Sequence, residues 1–288
     1  MKIKQLKRGI ALLIVIASLL ALCACKKPEP VSTDEAYEQL KTAAMTTVET
    51  NELYITIQGN VTYTTTEESS EENTNQTTTE TSTIDVVFQI KTDENNKITE
   101  RCVCIKLLDE DGSGLILEGY YKDGNQYSYS NFISETYTYT ENAEADTFEP
   151  ATEDTEELNA LLDKALAKLP APEATVLKDQ YTLVWTVTNE NLKQYIEAFL
   201  CIEDENLTDD EIAQKANELA ENVTLENELK LTVKIKDGTL TYASADFDIT
   251  LNNASYKGNV TFEMSLKNVT VTYPEGRLEE IKEKSEQQ

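Results

Sequence analysis

From residue 53 onward, long stretches of the chain alternate apolar and polar positions, the period-two signature of half-buried strands. Leu53, Ile55, Ile57, Val61 and Tyr63 fall on one side of the first, with Thr56, Gln58, Asn60 and Thr62 on the other. Ile84, Val86, Phe88 and Ile90 make a second strand, Val103, Ile105 and Leu107 line one side of a third, and Leu115, Leu117 and Tyr121 continue in a fourth. That fourth strand ends at Lys122-Asp123-Gly124-Asn125, a hairpin-turn sequence, and Tyr127 and Tyr129 carry a short fifth. Tyr181, Leu183, Trp185 and Val187 alternate again, as do Leu229, Leu231, Val233 and Ile235 before a second turn at Lys236-Asp237-Gly238-Thr239. Leu240 and Tyr242 follow, then, after a register change, Ala245, Phe247, Ile249 and Leu251. Val260 to Leu266 and Val269 to Tyr273 close the series.

Helical spacing occurs in four places. Ser32 and Glu35 form a capping box ahead of Ala36, Tyr37, Leu40, Ala44 and Val48. Asp154 and Glu157 cap a run with Leu158, Leu161, Leu162, Ala165, Leu166 and Leu169, which Pro170 and Pro172 stop. Leu192, Tyr195, Ile196, Phe199 and Leu200 mark a third, and Thr208 and Glu211 cap a fourth through Ile212, Ala216, Leu219 and Val223. Short turns between long strands predict an antiparallel meander, and grouped helices predict an α+β fold. The sequence predicts a single domain over residues 34–274. Segments without either period are read as surroundings: a flexible hairpin tip at 67–82, an acidic linker at 141–157, and a charged, frayed tail at 275–288. Tyr120, Tyr121, Tyr127, Tyr129, Tyr137 and Tyr139 are read as strand formers with wet hydroxyls.

Acidic residues number 53 against 25 basic, for a net charge of -28. Nucleic acid is excluded as a partner, because phosphate binding needs clustered Lys and Arg. Absence of His removes Ser-His-Asp and Cys-His triads and the usual neutral-pH base, which argues against an enzyme. Lys2, Lys4, Lys7 and Arg8 precede the apolar run Ile10 to Leu22, the layout of a signal peptide over 1–24. Its end, Leu22-Cys23-Ala24-Cys25, resembles the bacterial lipobox, which implies cleavage after Ala24 and a diacylglyceryl group on Cys25 as the membrane anchor. Residues 25–33 then form a lipidated tether, and the protein is expected on the extracytoplasmic face of a cell membrane. Cys102, Cys104 and Cys201 remain, an odd number with no further ligands for a metal, and read as small buried hydrophobes. No cofactor is implied.

The order of these parts, a lipobox, the helix DEAYEQLKTAAMTTV, the strand LYITIQGNVTY, the YYKDGNQYSY hairpin, middle helices and a closing KLTVKIKDGTLTYASADFDI meander, resembles Gram-positive lipoproteins related to the LolA and LppX carriers. That resemblance implies a curved antiparallel half-barrel with helices on its concave face. Such a layered form leaves an apolar space that admits an acyl chain or another amphiphile. Leu158, Leu162, Leu166, Trp185, Tyr195, Ile196 and Phe199 are the expected lining. The expected function is binding of a lipid or lipoprotein acyl chain, the alternative a non-catalytic surface interaction or adhesion lipoprotein without a small ligand.

Overall fold

A computed structural model of the protein describes residues 28–68, 75–148, 155–204, 206–251 and 254–287. The signal segment, Cys25, Asp154 and the middle of the 67–82 stretch lie outside the described residues. The architecture is a mostly antiparallel sheet with 13 strands, and five helices stand among the described residues. The strands are β1 (Glu29–Pro30), β2 (Leu53–Glu68), β3 (Asn75–Thr92), β4 (Ile98–Asp109), β5 (Gly114–Lys122), β6 (Asn125–Ser130), β7 (Thr136–Thr140), β8 (Glu173–Leu177), β9 (Gln180–Val187), β10 (Val223–Leu225), β11 (Leu229–Lys236), β12 (Thr239–Leu251) and β13 (Ala254–Ser265). The helices are α1 (Thr33–Glu49), α2 (Thr155–Leu166), α3 (Leu192–Glu203), α4 (Asp209–Ala220) and α5 (Arg277–Ser285).

The chain folds into two compact units, each assembled from separated stretches of sequence. Unit 1 takes residues up to Val48, Asn60–Thr81 and Ala151–Thr261. Its strands run β1-β8-β9-β11-β12-β13, β13 as far as Thr261, with β10 paired to β12, and it also holds the parts of β2 and β3 that fall within Asn60–Thr81. Alternation buries Leu183, Trp185 and Val187 on β9 and Leu231, Val233 and Ile235 on β11. A bulge at Thr241 shifts the register so that Leu240 faces Ile235 while Ala243 and Ala245 face Val233 and Leu231. The expected register change thus falls two residues earlier than the alternation suggested. Both hairpin turns form with left-handed Asp-Gly pairs, Asp123 and Gly124 at φ 52 and 75, Asp237 and Gly238 at 51 and 68. The Thr208 capping box closes reciprocally with Glu211, and Ser32 accepts the Glu35 N–H at 3.2 Å.

Unit 2 takes Glu49–Gly59, Ser82–Pro150 and the chain from Phe262 onward. Within it β3 pairs with β4, β4 with β5, β5 with β6 and β6 with β7. Four expectations are corrected. The 67–82 stretch is not simply a loop: strand extends to Glu68 and resumes at Asn75, as β-branched Thr favours extended backbone even without apolar neighbours. The tether is partly strand, Glu29 and Pro30 pairing with Val176 and Thr175 of β8, at an edge where the missing Pro N–H costs nothing. The acidic linker is pinned at its start, since Phe148 is buried, Asp146 accepts from Arg101 at 2.8 Å, and Lys97 bridges Thr147. The 275–288 tail is not frayed but carries α5, whose Leu278 and Ile281 are buried at a helical spacing of three. No described helix is long and apolar enough to cross a membrane.

Neither unit is one continuous stretch of chain, so fragments covering 28–148 and 155–287, made separately, are each expected to melt without a cooperative calorimetric transition. A sharp transition in either would mean that the fragment holds a self-sufficient unit.

Candidate functional site

The residues expected to line a ligand space belong to unit 1, and the structure disperses them into packing roles. Leu162 is buried against Ala44 of α1, with Leu158 and Ile202 beside it. Ile196 and Phe199 pack on the cluster of Ala165, Leu200, Cys201, Ile212 and Ala216 where α2, α3 and α4 meet. Leu166 and Tyr195 are buried. Trp185 is buried too, and its indole N–H donates to the Pro170 carbonyl at 2.9 Å. The Tyr37 hydroxyl donates to the same carbonyl at 2.9 Å, so two aromatic donors satisfy the chain end of α2 after Pro170 interrupts it. Leu162, Leu166, Trp185 and Tyr195 are buried, while Leu158, Ile196 and Phe199 remain half-buried where they pack against the helix clusters.

Unit 2 is different because its sheet is apolar on both faces. Side chains of directly paired residues share a face. On one, the tyrosine face, Cys102 stands opposite Tyr120, Tyr120 opposite Tyr127, and Tyr127 opposite Tyr139. The next row joins Cys104, Glu118, Tyr129 and Tyr137. Helix α5 lies on this face: Tyr120, Tyr129 and Tyr137 are buried in one cluster with Leu278, Ile281, Val269 and Val271. Tyr120, Tyr121, Tyr129 and Tyr137 are therefore buried core residues, not merely strand formers with wet hydroxyls, while Tyr127 and Tyr139 are half-buried. Cations of α5 stack on their rings, Arg277 at 4.5 Å from the Tyr129 centroid, Lys284 at 4.7 Å from Tyr137 and Lys282 at 4.6 Å from Tyr139. Alternation marked the other strand positions as the inner ones, and no strand pattern signalled that a helix of charged composition would cover these.

A buried carboxylate sits in the middle of that face. Glu118 is 4% exposed in its side chain and accepts from Arg277 Nε at 2.7 Å, with Lys106 Nζ at 3.7 Å from its other oxygen. The Cys104 thiol lies 3.9 Å from the same oxygen. Burial alone would weaken the Arg277 charge, but hydrogen bonds to Glu280 and Glu118 raise its pKa above the ordinary guanidinium value. Gln89, also buried on this face, accepts from the Thr272 N–H at 2.7 Å and ties the segment before α5 to the sheet. Cys102, Cys104 and Cys201 are free and buried. Burial pushes the Cys102 thiol up to about 12, with Cys104 and Glu118 adding to the shift. A thiol so protonated is a poor nucleophile.

The opposite, aliphatic face of β3, β4 and β5 consists of three cross-strand rows. Val86, Ile105 and Leu117 form the first, Ile84, Leu107 and Leu115 the second, and Phe88, Val103 and Gly119 the third. Most of these side chains are only half-buried, and Leu107 is 39% exposed. The third row ends at a glycine where a Cβ would meet no atom within 4 Å. A glycine inside a strand weakens it and often marks a place where something approaches the backbone closely. The aliphatic face with its notch at Gly119 is the candidate binding surface; sequence reasoning takes the alternation of Ile84 to Phe88 and Val103 to Leu107 for half-buried strands only, and that alternation is the signal that could have found it.

Known proteins add little. No family model and no curated protein matches the chain. Among solved structures, a β-barrel-like protein of a domain of unknown function from Brucella abortus shares 12% identity, over 74% of this chain and 98% of that one, with a TM-score of 0.18. A likeness at that score carries no argument.

Two outcomes follow from this geometry. Arg277→Met leaves the Glu118 charge buried without its main partner, and denaturant unfolding should show a loss of about 3–5 kcal/mol, largely recovered when Glu118→Leu is added. A silent Arg277→Met would show that the pair is not what seats α5. The second outcome concerns pH. An unfolded thiol ionises near about 8.5 and Cys102 in the fold near about 12, so its contribution to stability is complete below the first value and is lost as pH rises toward the second. Cys102→Ala should therefore shrink the alkaline loss, by up to ~1.4 kcal/mol per pH unit across that window. An unchanged alkaline slope would contradict the shift.

Proposed function

We propose that this chain is a non-enzymatic extracytoplasmic lipoprotein, anchored to the membrane through diacylglyceryl-Cys25, that binds a hydrophobic or amphiphilic envelope ligand such as a lipid or a lipoprotein acyl chain. A curved LolA- and LppX-like form of the sheet is part of the same reading. The observation that carries ligand binding is the aliphatic face of β3 to β5, half-exposed on the side of the sheet opposite α5 and open over Gly119. Three strands spaced about 4.8 Å apart offer a strip on the order of 10 Å wide, enough for one extended acyl chain. Each methylene moved from water onto such a surface stabilises the complex by up to about 0.8 kcal/mol.

The binding residues in this reading are Phe88, Val103, Ile105 and Leu117, in place of the helix residues around Leu162 and Phe199, which are committed to packing. Anchoring rests on the lipobox, and the edge strand gives it a geometry. Cys25 lies four positions before Glu29, which pairs with β8. At ~3.5 Å per residue, a lipid on Cys25 holds that edge of unit 1 within about 14 Å of the bilayer. The absence of His from the sequence and the buried, protonated thiols support a role without covalent chemistry.

Native mass spectrometry of the protein purified from the membranes of cells that make it is expected to show a lipid-modified Cys25 as the first residue and a co-purifying lipid. Gly119→Val fills the notch with a residue that suits a strand, so it should leave the melting temperature equal or higher and remove the bound lipid. An unmodified N-terminus defeats the anchor. Lipid retained by Gly119→Val, or never present, defeats the aliphatic face as the site.

A further inference from the structure

The β6–β7 connection, residues 131–135, displays two apolar side chains to solvent. Phe132 is 72% exposed and Ile133 92%, the most exposed large hydrophobic residues among those described. The loop that carries them is held in place. The Asn131 side-chain carbonyl accepts the Ile116 N–H at 2.6 Å, and its amide donates to the Gly114 carbonyl at 2.7 Å. The Phe132 N–H donates to the Ser130 hydroxyl at 3.2 Å, and the Thr136 hydroxyl donates to the Ser134 carbonyl at the same distance. An aromatic and an aliphatic side chain are thus presented from backbone that has already lost much of its freedom, the arrangement that makes a binding anchor effective.

The ties to Gly114 also set the loop beside the β4–β5 turn. Asp109, Glu110 and Asp111 stand exposed there, and Glu135 closes the loop itself. No Lys or Arg occurs in residues 107–121 or 126–140. The Asp111 carboxylate accepts the Ser113 N–H at 2.8 Å, and hydrogen bonds from the Ser113 side chain and backbone hold its pKa below the usual carboxylate range. This end of unit 2 therefore sets two apolar knobs beside the exposed carboxylates of Asp109, Glu110, Asp111 and Glu135, while Arg277 and Lys284 of α5 are engaged with the rings of Tyr129 and Tyr137.

We propose that this tip is a protein-docking site, with Phe132 and Ile133 entering an apolar pocket that Lys and Arg side chains surround on a partner protein. Charge decides between the possible occupants. A second copy of this chain brings the same carboxylates and a net charge of -28, and an anionic bilayer repels them equally. A cationic rim complements them and accelerates encounter at moderate ionic strength. The proposal goes beyond lipid binding and stands whether or not the aliphatic face takes a ligand.

The test places a photo-reactive side chain at the tip, Phe132→p-benzoylphenylalanine, in the full chain on the cells that make it, with the same side chain at Asp123 in the β5–β6 turn as control. The expected result is one discrete protein adduct from position 132 and none from position 123. Mass mapping should place the crosslink on an apolar residue flanked by Lys or Arg. Its yield should fall as salt is raised, and Ile133→Ser should lower it on the order of tenfold, as loss of one of two anchors does. Adducts only to lipid, only to another copy of this chain, or to a partner segment without excess positive charge would overturn the proposal. So would the lack of any discrete adduct in a variant that melts like the parent, which the exposure of both tip residues allows.

Discussion

A β-strand presents two faces, and in unit 2 both are furnished with apolar side chains. Everything distinctive about that unit follows from the need to treat the two differently. The tyrosine face is large and carries phenol rings whose quadrupoles attract cations, so it is covered by a helix rich in Lys and Arg instead of a purely aliphatic one. Placing Glu118 within that cover takes a carboxylate out of water, a step tolerated only because Arg277 and Lys106 reach it. The charge also gives the helix a register. A helix seated by Leu278 and Ile281 alone could slide along the face, whereas Arg277 must meet Glu118 while stacking on Tyr129.

The same helix has a second duty at the sheet edge. β7 is the last strand of its ladder, and its outward N–H groups would otherwise offer a template for pairing with another chain. The Ser285 hydroxyl accepts the Tyr139 N–H at 3.1 Å, so the end of α5 occupies part of that edge. At the opposite end of the strand order, Glu29 and Pro30 lie along β8, and the proline leaves one fewer donor exposed. For a sheet in which Thr, Val and Tyr favour extended structure throughout, these edges are where aggregation would begin.

Much of this was legible in the sequence because strand alternation and hairpin turns are local. The Lys-Asp-Gly turns predicted both hairpins, and Leu231, Val233 and Ile235 predicted their own burial. The Thr208 box predicted its helix start. What stayed hidden was long-range. The segment from Arg277 to Ser285, in which only Leu278 and Ile281 are apolar, becomes ordered because a tyrosine sheet awaits it, and its isolated sequence resembles a solvated tail. Cys102 and Cys104 were identified as buried, but the face they share with Tyr120 and Glu118 was not, since Val103, Ile105 and Leu107 make the stronger pattern on the other side. For the candidate site, the amphipathic helices drew the reading toward Leu162 and Phe199. Amphipathic stripes bury themselves against each other, and the open apolar surface lay on strands instead.

The span of the α5 contacts bears on how the chain comes into being. Lys284 reaches the Tyr137 hydroxyl across 147 positions of sequence, and Arg277 reaches Glu118 across 159. Until α5 is made, the tyrosine face lacks that helix, and Glu118 has Lys106 and the Cys104 thiol beside it but not Arg277. Contacts of such separation form late and slowly. A polypeptide in which the closing element trails the surface it closes by 147 to 159 positions thus depends on a non-local contact, slow to form, to complete unit 2.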